Sequence, residues 1–180
     1  SEEDFDFQMQ VNVYGVFRVT KAFAPLVIAS QGRIVNISSI SAFLSDGGTS
    51  AYTMSKAAVE AFTNVLATEL QSSGVAVIAV EPGAYNTDIL KPALARSVTK
   101  GFEADRSRMK PPDEVATAVL QALSDAKPKR RYIIVPEQAQ AAETIQGGPD
   151  VLMQLKADQA YTYDRAELNR MMDKATTRTG

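Results

Sequence analysis

The chain has 180 residues, of which 45% are apolar and 22% charged, and its formal net charge at pH 7 is −2. This composition is typical of one soluble globular unit. The sequence contains neither cysteine nor histidine, which excludes disulfides, thiol nucleophiles, Ser-His-Asp triads and the usual zinc sites. We therefore predict no metal site, and any acid–base chemistry must come from Tyr, Lys, Asp or Glu.

The sequence carries no strong signal for a membrane or a nucleic acid. No apolar run has the 18 or more residues that a membrane span needs, and no leader-like segment opens the chain. The basic stretch 127–131 lacks a helical or aromatic continuation, so it predicts a solvated turn rather than a nucleic-acid site. We expect a cytoplasmic protein with no membrane span and no nucleic-acid partner.

The first predicted element is a helix over residues 4–29, whose side chains are apolar on nearly every side. Such a pattern is typical of a helix that is buried between a sheet and a partner. Asn12 and Gly15 interrupt this helix with residues of low helix propensity. Taken alone, Asn12 is best interpreted as a polar residue on a solvent-exposed (wet) face of the helix.

A short strand is predicted over residues 33–38, because a β-branched run of that length follows the helix-breaking pair Gln31-Gly32. Ser39 stands just past the end of this strand. Residues 40–49 are rich in Ser, Gly and Asp, and they predict a loop.

The next helix begins near residue 50 and ends before Gly74, a natural stop. Tyr52 and Lys56 lie four residues apart near its start and therefore share one face. A phenol has a pKa of about 10, and a cation within about 4–6 Å lowers it. The pair thus predicts a proton donor and acceptor near neutral pH. By spacing alone, however, an ordinary surface pair is the commoner explanation, so other residues must agree.

The remaining pattern alternates strands and helices. A continuously apolar run over residues 75–80 predicts a strand that is buried on both faces and stops at Pro82-Gly83. A helix over residues 112–125 and a strand over residues 131–135 follow. Together these elements predict a parallel α/β sheet with three strands.

Two further segments complete the chain. Residues 84–109 carry Pro92 and mixed charges, and they predict a mobile flap. Beyond residue 136, the chain holds Gly147-Gly148-Pro149 and two short amphipathic helices, one with Leu152 and Leu155 and the other with Leu168, Met171 and Met172. We interpret the apolar side chains of these helices as packing residues rather than as a cofactor-binding surface.

Polar side chains converge at one edge of the predicted sheet. Ser39 follows the first strand, and Pro82-Gly83 follows the second. Tyr52 and Lys56 open the helix after the Ser39 loop, so they start at the same edge. Ligands of open parallel sheets bind outside the carboxyl ends of the strands, which makes this edge the candidate site.

These residues resemble the catalytic and C-terminal part of a short-chain dehydrogenase/reductase. Asn12, Ser39, Tyr52 and Lys56 are separated by 27, 13 and 4 residues, and the last two form a Tyr-x-x-x-Lys motif. The stretch 82–87 matches a Pro-Gly-x-x-x-Thr motif. A lone Tyr-x-x-x-Lys is weak evidence, but the combined set over residues 5–136 is specific. The resemblance implies a partial Rossmann-like, doubly wound parallel sheet with a C-terminal helical tail.

The resemblance also implies a function, namely hydride transfer between NAD or NADP and an alcohol or carbonyl carbon. Tyr52 would give or take the hydroxyl proton, and Lys56 would lower the pKa of Tyr52 and bind the nicotinamide ribose. Ser39 would hold the substrate oxygen, and Asn12 would keep open a water-filled proton path at an irregularity in its helix. This is general acid–base catalysis beside a redox cofactor.

The resemblance extends to cofactor contacts after the second strand. The Pro82-Gly83 turn would lie against the cofactor. Tyr85 through its backbone and Thr87 through its hydroxyl would meet the nicotinamide carboxamide. Residues 88–109 would form a lid over the substrate. The apolar side chains of the lid suit an apolar alcohol, and packing of the lid explains them equally well.

One departure from the family pattern is serious. The Thr-Gly-x-x-x-Gly-x-Gly turn that holds the pyrophosphate is lacking from the sequence. We therefore expect an N-terminally truncated chain that binds cofactor poorly and has weak activity, with an exposed apolar edge at the first strand. Residues 1–136 would be the catalytic part, and residues 137–180 a helical extension of the same domain.

A second hypothesis is a non-catalytic dimerisation or binding module derived from the same family. In the resembling family, helices corresponding to residues 4–29 and 51–73 pack against their counterparts in oligomers. The intact set of Asn12, Ser39, Tyr52 and Lys56 favours descent from an active enzyme, whereas the lacking Gly-rich turn favours inactivity. We expect a homo-oligomer in either case.

Overall fold

The structure is a computed structural model that describes residues 1–44, 47–89, 106–157 and 159–179. Of the predicted flap, residues 90–105 lie outside this part of the chain. Packing divides the chain into two units, Ser1–Thr144 and Ile145–Gly180. The division of one domain at residue 136 stays a prediction.

The first unit contains a sheet of three parallel strands. Strand β1 is Arg33–Ile37, β2 is Ala76–Pro82 and β3 is Arg131–Ile134, and they lie in the order β1-β2-β3. The register sets Ile37 opposite Val80. The prediction of a parallel α/β sheet with three strands is confirmed, and within the described residues β1 is an edge strand as expected.

Helices and short turns connect the strands. The α-helices are α1 (Glu2–Met9), α2 (Gly15–Ala29), α3 (Ser50–Glu69), α4 (Asp113–Ser124), α5 (Gln138–Lys156) and α6 (Arg165–Thr179). A π-helical turn, Gln10–Tyr14, joins α1 to α2. The shorter 3₁₀ turns are Ile40–Ala42, Gln71–Ser73 and Arg106–Arg108.

Strand β2 forms the centre of the core because its side chains alternate between two covered faces. One face packs against α3, where the buried residues are Leu66, Val75 and Val77. The other packs against α4, where the cluster contains Ile78, Val80, Ala118, Ala122 and Tyr132. The continuously apolar run thus predicted a doubly covered strand correctly.

Two turns depend on glycine. Gly74 ends the turn after α3 with φ at +70°, a left-handed conformation that residues with a Cβ rarely adopt. Gly83 has no such strain, but a Cβ there would lie 2.9 Å from Val135 Cγ1 and 3.2 Å from Pro136 Cδ. The close approach of residues 135–136 to the end of β2 therefore needs glycine at this position.

The first helix is not buried within the described residues, and its burial between a sheet and a partner stays a prediction. No residue of α1, the π-helical turn or α2 is buried, and Phe23 and Leu26 are 56% and 66% exposed. An apolar composition indicates that a helix has surface to bury, but it does not supply the covering element. Within the described residues α3 provides part of that cover, for example where the Phe17 and Phe62 rings meet edge to face at 6.1 Å.

By length and composition, the helical stretch Glu2–Ala29 would suffice to cross a membrane, and none of its most apolar window is buried. A core helix of a soluble domain and a signal sequence meet the same criteria. The expectation of no membrane span stays a prediction.

Helix α5 continues through Gly147-Gly148-Pro149. Proline clashes with the Cβ of the residue before it in a helix. Gly148 has no Cβ, and a Cβ built there would meet nothing within 4 Å. Gln146 Nε2 also donates to Asp150 Oδ1 at 2.9 Å, which bridges the proline.

Candidate active site

The site lies at the carboxyl edge of the sheet, where β1 and β2 end. The backbone of Ser39 is extended, and its hydroxyl accepts a hydrogen bond from Ser41 N at 3.1 Å, which begins the turn after β1. The same hydroxyl lies 3.4 Å from the carbonyl oxygen of Pro82, to which it can donate. Ser39 therefore joins the ends of two neighbouring strands, as the topology predicted.

Helix α3 brings Tyr52 and Lys56 to the same edge. The Ser39 hydroxyl lies close enough to the Tyr52 phenol to lower its pKa. Lys56 is buried, with its Nζ 5.7 Å from the centroid of the Tyr52 ring. Its ammonium donates to the carbonyl oxygen of Ile37 at 3.0 Å, which leaves two of its three N–H groups for other acceptors. The structure thus brings Ser39, Tyr52 and Lys56 together.

The pKa values of Tyr52 and Lys56 shift in opposite directions. Burial raises the pKa of Tyr52, and the nearby Ser39 hydroxyl lowers it in part. Burial lowers the pKa of Lys56, and the Glu60 carboxylate raises it in part. The prediction that Lys56 brings the pKa of Tyr52 below its usual range is wrong for this structure, because desolvation of the phenol is the larger effect.

Asn12 occupies the middle of the π-helical turn. Its Nδ2 donates to the hydroxyl of Ser55 at 3.0 Å, and that hydroxyl donates to the carbonyl oxygen of Tyr52 at 2.7 Å. The interpretation of Asn12 as a residue on a wet face is therefore wrong. π-helical turns occur frequently at functional sites, and the expected helix irregularity is present at this residue.

Ser55 is a site residue that sequence reasoning missed. It is fully buried and ties Asn12 to the first turn of α3. A signal was available, because a serine three residues after Tyr52 on a helix can bond back to the Tyr52 carbonyl.

The predicted cofactor residues lie on the turn after β2. Pro82 ends the strand, and Gly83 N donates to the carbonyl oxygen of Ile134 at 2.8 Å. Tyr85 is buried, and its hydroxyl donates to Glu114 Oε2 at 2.7 Å. Burial and the Glu114 carboxylate raise the pKa of Tyr85 well above its usual range. Thr87 is half-buried. The roles of these residues toward a cofactor stay predictions.

Among the described residues, neither a metal-binding group nor the basic stretch 127–131 contributes to this site. In the residues that the structure describes, no group of three or more acidic side chains is arranged to hold a metal ion. Within the basic stretch, Lys129 Nζ lies 5.7 Å from the centroid of the Tyr132 ring.

Comparison with known proteins identifies relatives of the chain. A family model described as short chain dehydrogenase matches residues 1–97. The chain is 38% identical over 125 residues to the oxidoreductase UcpA of Salmonella typhimurium, which covers 68% of this chain and 44% of that protein. It is 43% identical over 81 residues to the mouse estradiol 17-beta-dehydrogenase 2, which covers 45% of this chain and 21% of that protein. The chain thus spans less than half the length of both relatives.

Solved structures support the fold. A short-chain dehydrogenase from Streptomyces avermitilis is similar with a TM-score of 0.70 at 28% identity, over 86% of this chain and 60% of that one. A short-chain dehydrogenase from Sphingobium yanoikuyae in complex with NADPH is similar with a TM-score of 0.58 at 29% identity, over 87% and 58%. The predicted Rossmann-like architecture is confirmed by these similarities.

Proposed function

The chain belongs to the short-chain dehydrogenase family, and from that premise we propose that it carries the acid–base centre of an NAD(P)-dependent oxidoreductase. The reaction would interconvert an alcohol and a carbonyl group. The observation that carries this proposal is the half-buried Tyr52 phenol, which has the Ser39 hydroxyl near it and the Lys56 ammonium beside its ring. Relatives named as dehydrogenases and a similar structure that contains NADPH support it.

Each of these side chains has a separate task in the proposed reaction. Tyr52 takes the proton from a substrate hydroxyl during oxidation and returns it during reduction. Ser39, whose hydroxyl lies near Tyr52, holds the substrate oxygen beside the phenol. The cofactor, when bound, supplies the hydride acceptor or donor. Because burial raises the pKa of Tyr52, the phenolate needs nearby positive charge, and the Lys56 ammonium is the cation beside it.

The residues present fit the nicotinamide end of such a cofactor. Lys56 has two N–H groups beyond the one that binds the Ile37 carbonyl, and ribose hydroxyls are suitable acceptors for them. Asn12 and Ser55 hold the π-helical turn against the first turn of α3, so the acid–base residues have a fixed support. The choice between NAD and NADP is a matter for measurement.

A fluorescence titration of the purified chain with NADH and NADPH tests the proposal. Lys56→Ala should weaken binding, because the ribose donors are lost, whereas Lys21→Ala on the exposed surface of α2 should not. Equal binding by the wild-type chain and Lys56→Ala would contradict the role of Lys56. No binding by a folded wild-type chain would agree with the predicted weak cofactor affinity.

Activity provides the second part of this test. Added to a separately made N-terminal segment that carries a Gly-rich turn, the chain should oxidise alcohols with NAD or NADP. Tyr52→Phe removes the transferable proton and should abolish that activity, while Tyr161→Phe at an exposed position should leave it unchanged. Activity that survives Tyr52→Phe would overturn the acid–base assignment.

We also propose that two copies associate through helices 4–29 and 51–73. The support is the set of apolar side chains left exposed along Glu2–Ala29 and on α3, such as Phe23 and Val65. This observation also favours the alternative of a non-catalytic dimerisation module. Analytical ultracentrifugation should detect a dimer that Phe23→Asp dissociates, whereas Leu120→Asp, at an exposed position of α4, leaves it intact.

Substrate and location stay proposals. An apolar alcohol suits the exposed Ile89 side chain, which lies in the described part of the predicted lid, residues 88–109. A panel of alcohols of increasing chain length, assayed with the complemented chain, would test that preference. The cytoplasmic location stays a prediction, and fractionation of cells that express the protein would test it.

A further inference from the structure

A cluster of three charged side chains, two buried carboxylates and one half-buried guanidinium, lies one helical turn from Lys56. Glu81, near the end of β2, is fully buried, and Glu60 on α3 is almost so. Arg131, the first residue of β3, donates from the same Nη1 to a carboxylate oxygen of each. Its Nη2 donates to Asn64 Oδ1 at 2.8 Å. One guanidinium therefore serves two carboxylates, and none of these residues belongs to the acid–base centre described above.

The charge of this cluster is not balanced when both carboxylates are ionised. Two negative groups then face one positive group in a poorly hydrated environment, which is costly. Glu60 Oε1 and Glu81 Oε2 are buried without a hydrogen-bond partner among the described residues. The Glu60 carboxyl group also interacts with that of Glu81 and raises its pKa. A proton on Glu81 would neutralise the cluster.

The groups that face Glu81 make it the proton-binding member. Its side of β2 meets Glu60 from α3 and Arg131 from β3, and these are the charged groups that act on it. Helix α4 packs against the opposite side with Ala118 and Ala122. Burial and the Glu60 carboxylate raise the pKa of Glu81 to about 7, against the opposing effect of Arg131.

Helix geometry connects the cluster to the acid–base centre. Glu60 follows Lys56 by four residues, so the two side chains lie on the same face of α3. The Glu60 carboxylate raises the pKa of Lys56 against the effect of burial. Tyr52, one turn earlier on the same helix, is the other titratable group beside Lys56. The charge that Lys56 experiences therefore depends on how Glu60 is neutralised by Arg131, and that depends on Glu81.

We propose that Glu60, Arg131 and Glu81 form a charge cluster that keeps Lys56 in its ammonium form, with the proton on Glu81 setting the strength of that effect. Glu60 is a positioning residue, because it acts through Lys56. With Glu81 protonated, the cluster is neutral. When Glu81 loses its proton, the cluster carries one negative charge and favours the ammonium of Lys56 more strongly. The consequence for catalysis depends on the proposed function, but the effect on Lys56 does not.

NMR titration of the chain with isotope-labelled lysine tests this directly, because the side-chain signal of Lys56 reports its own protonation without cofactor or substrate. The signal is assigned by its loss in Lys56→Arg. In the wild-type chain we expect the Lys56 signal to show a small inflection near pH 7, from Glu81, and its main titration at higher pH. In Glu60→Gln the main titration should move to lower pH.

Two further variants make the result decisive. Glu69→Gln removes an exposed negative charge from the same helix and should leave the Lys56 titration unchanged. Glu81→Gln mimics the protonated carboxyl, should fold, and should remove the inflection near pH 7. An unshifted titration in folded Glu60→Gln, or an inflection that persists in Glu81→Gln, would overturn the proposal. If Glu60→Gln does not fold, Glu81→Gln decides alone. Lack of enzyme activity would contradict the proposed function but leave this result intact.

Discussion

The side-chain amide of Asn12 donates to the hydroxyl of Ser55 at 3.0 Å, a contact between residues 43 positions apart in the chain. Because Ser55 donates in turn to the Tyr52 carbonyl at 2.7 Å, one buried hydroxyl fastens the π-helical turn to the start of α3. The turn and the phenol are thus positioned together. This relationship explains why a residue of low helix propensity is useful inside a long helix.

Ser55→Ala should loosen the π-helical turn more than it destabilises the whole chain. The variant leaves the Asn12 amide without its buried acceptor, at a cost of about 1 kcal/mol. Hydrogen exchange of the backbone amides of residues 10–14 should become faster, with a modest fall in the free energy of unfolding.

The control for this comparison is Ser124→Ala. Ser124 is exposed, and its hydroxyl donates to the Leu120 carbonyl at 2.7 Å, so the variant also removes a bond from a helical serine to its own helix. Exchange in residues 10–14 should be unchanged. The same exchange rate in Ser55→Ala and the wild-type chain would show that Ser55 does not hold the turn.

Thr63→Val should destabilise the sheet beside the site. Asn36 Nδ2 in β1 donates to Thr63 Oγ1 at 2.9 Å, and both side chains are buried. Valine keeps the shape of threonine but leaves the Asn36 amide unsatisfied, which costs about 1–3 kcal/mol. Urea unfolding measures the loss. Thr117 is exposed, and its hydroxyl donates to the carbonyl oxygen of Asp113 in its own helix. Thr117→Val should therefore cost far less, and equal losses would contradict the prediction.

Gly83→Ala should disturb the turn that follows β2. A Cβ at this position would meet Gln140 Oε1 at 2.5 Å, which can move, but also Val135 Cγ1 at 2.9 Å and Pro136 Cδ at 3.2 Å, which are held close to the backbone. Such overpacking costs about 1–3 kcal/mol. Thermal unfolding should show a lowered Tm for Gly83→Ala and an unchanged Tm for Gly47→Ala, where a Cβ meets nothing within 4 Å. An unchanged Tm in Gly83→Ala would mean that residues 135–136 move to accommodate the added Cβ at little cost in stability.

Much of the fold was predictable, because local patterns and topology determine it. The apolar run before Pro82 predicted β2, and the shared edge of parallel strands predicted that Ser39 and Tyr52 meet. The π-helical turn at Asn12 was not derivable from hydrophobic periodicity, because the same apolar pattern fits an unbroken α-helix. The continuation of α5 through Pro149 depends on the lack of a Cβ in the residue before it, which a rule for proline as a helix breaker omits.

Electrostatics was the least predictable part of the site. Sequence spacing correctly set Tyr52 and Lys56 side by side, but the sign of the Tyr52 pKa shift follows from burial, which is a tertiary property. The same limit applies to Glu81, which lies between an apolar run and a turn and gives no sequence signal of full burial. Its partner Arg131 lies in a basic stretch that predicted a solvated turn, yet its guanidinium reaches two buried carboxylates.

The stability of the chain should fall as pH rises from about 4.5 to about 7, in part because of Glu81, whose pKa the fold raises across that interval. Below this interval Glu81 is protonated in both states. Within it, the folded chain keeps a proton that the unfolded chain releases, so rising pH favours unfolding. The contribution is on the order of 2–3 kcal/mol and is fully lost above the upper limit. Urea unfolding at the two ends of the interval gives the change in the free energy of unfolding with pH. The difference between this change in the wild-type chain and in Glu81→Gln is the contribution of Glu81. Glu69→Gln should keep the wild-type change, and a Glu81→Gln chain that loses as much stability as the wild type would show that Glu81 is ionised throughout.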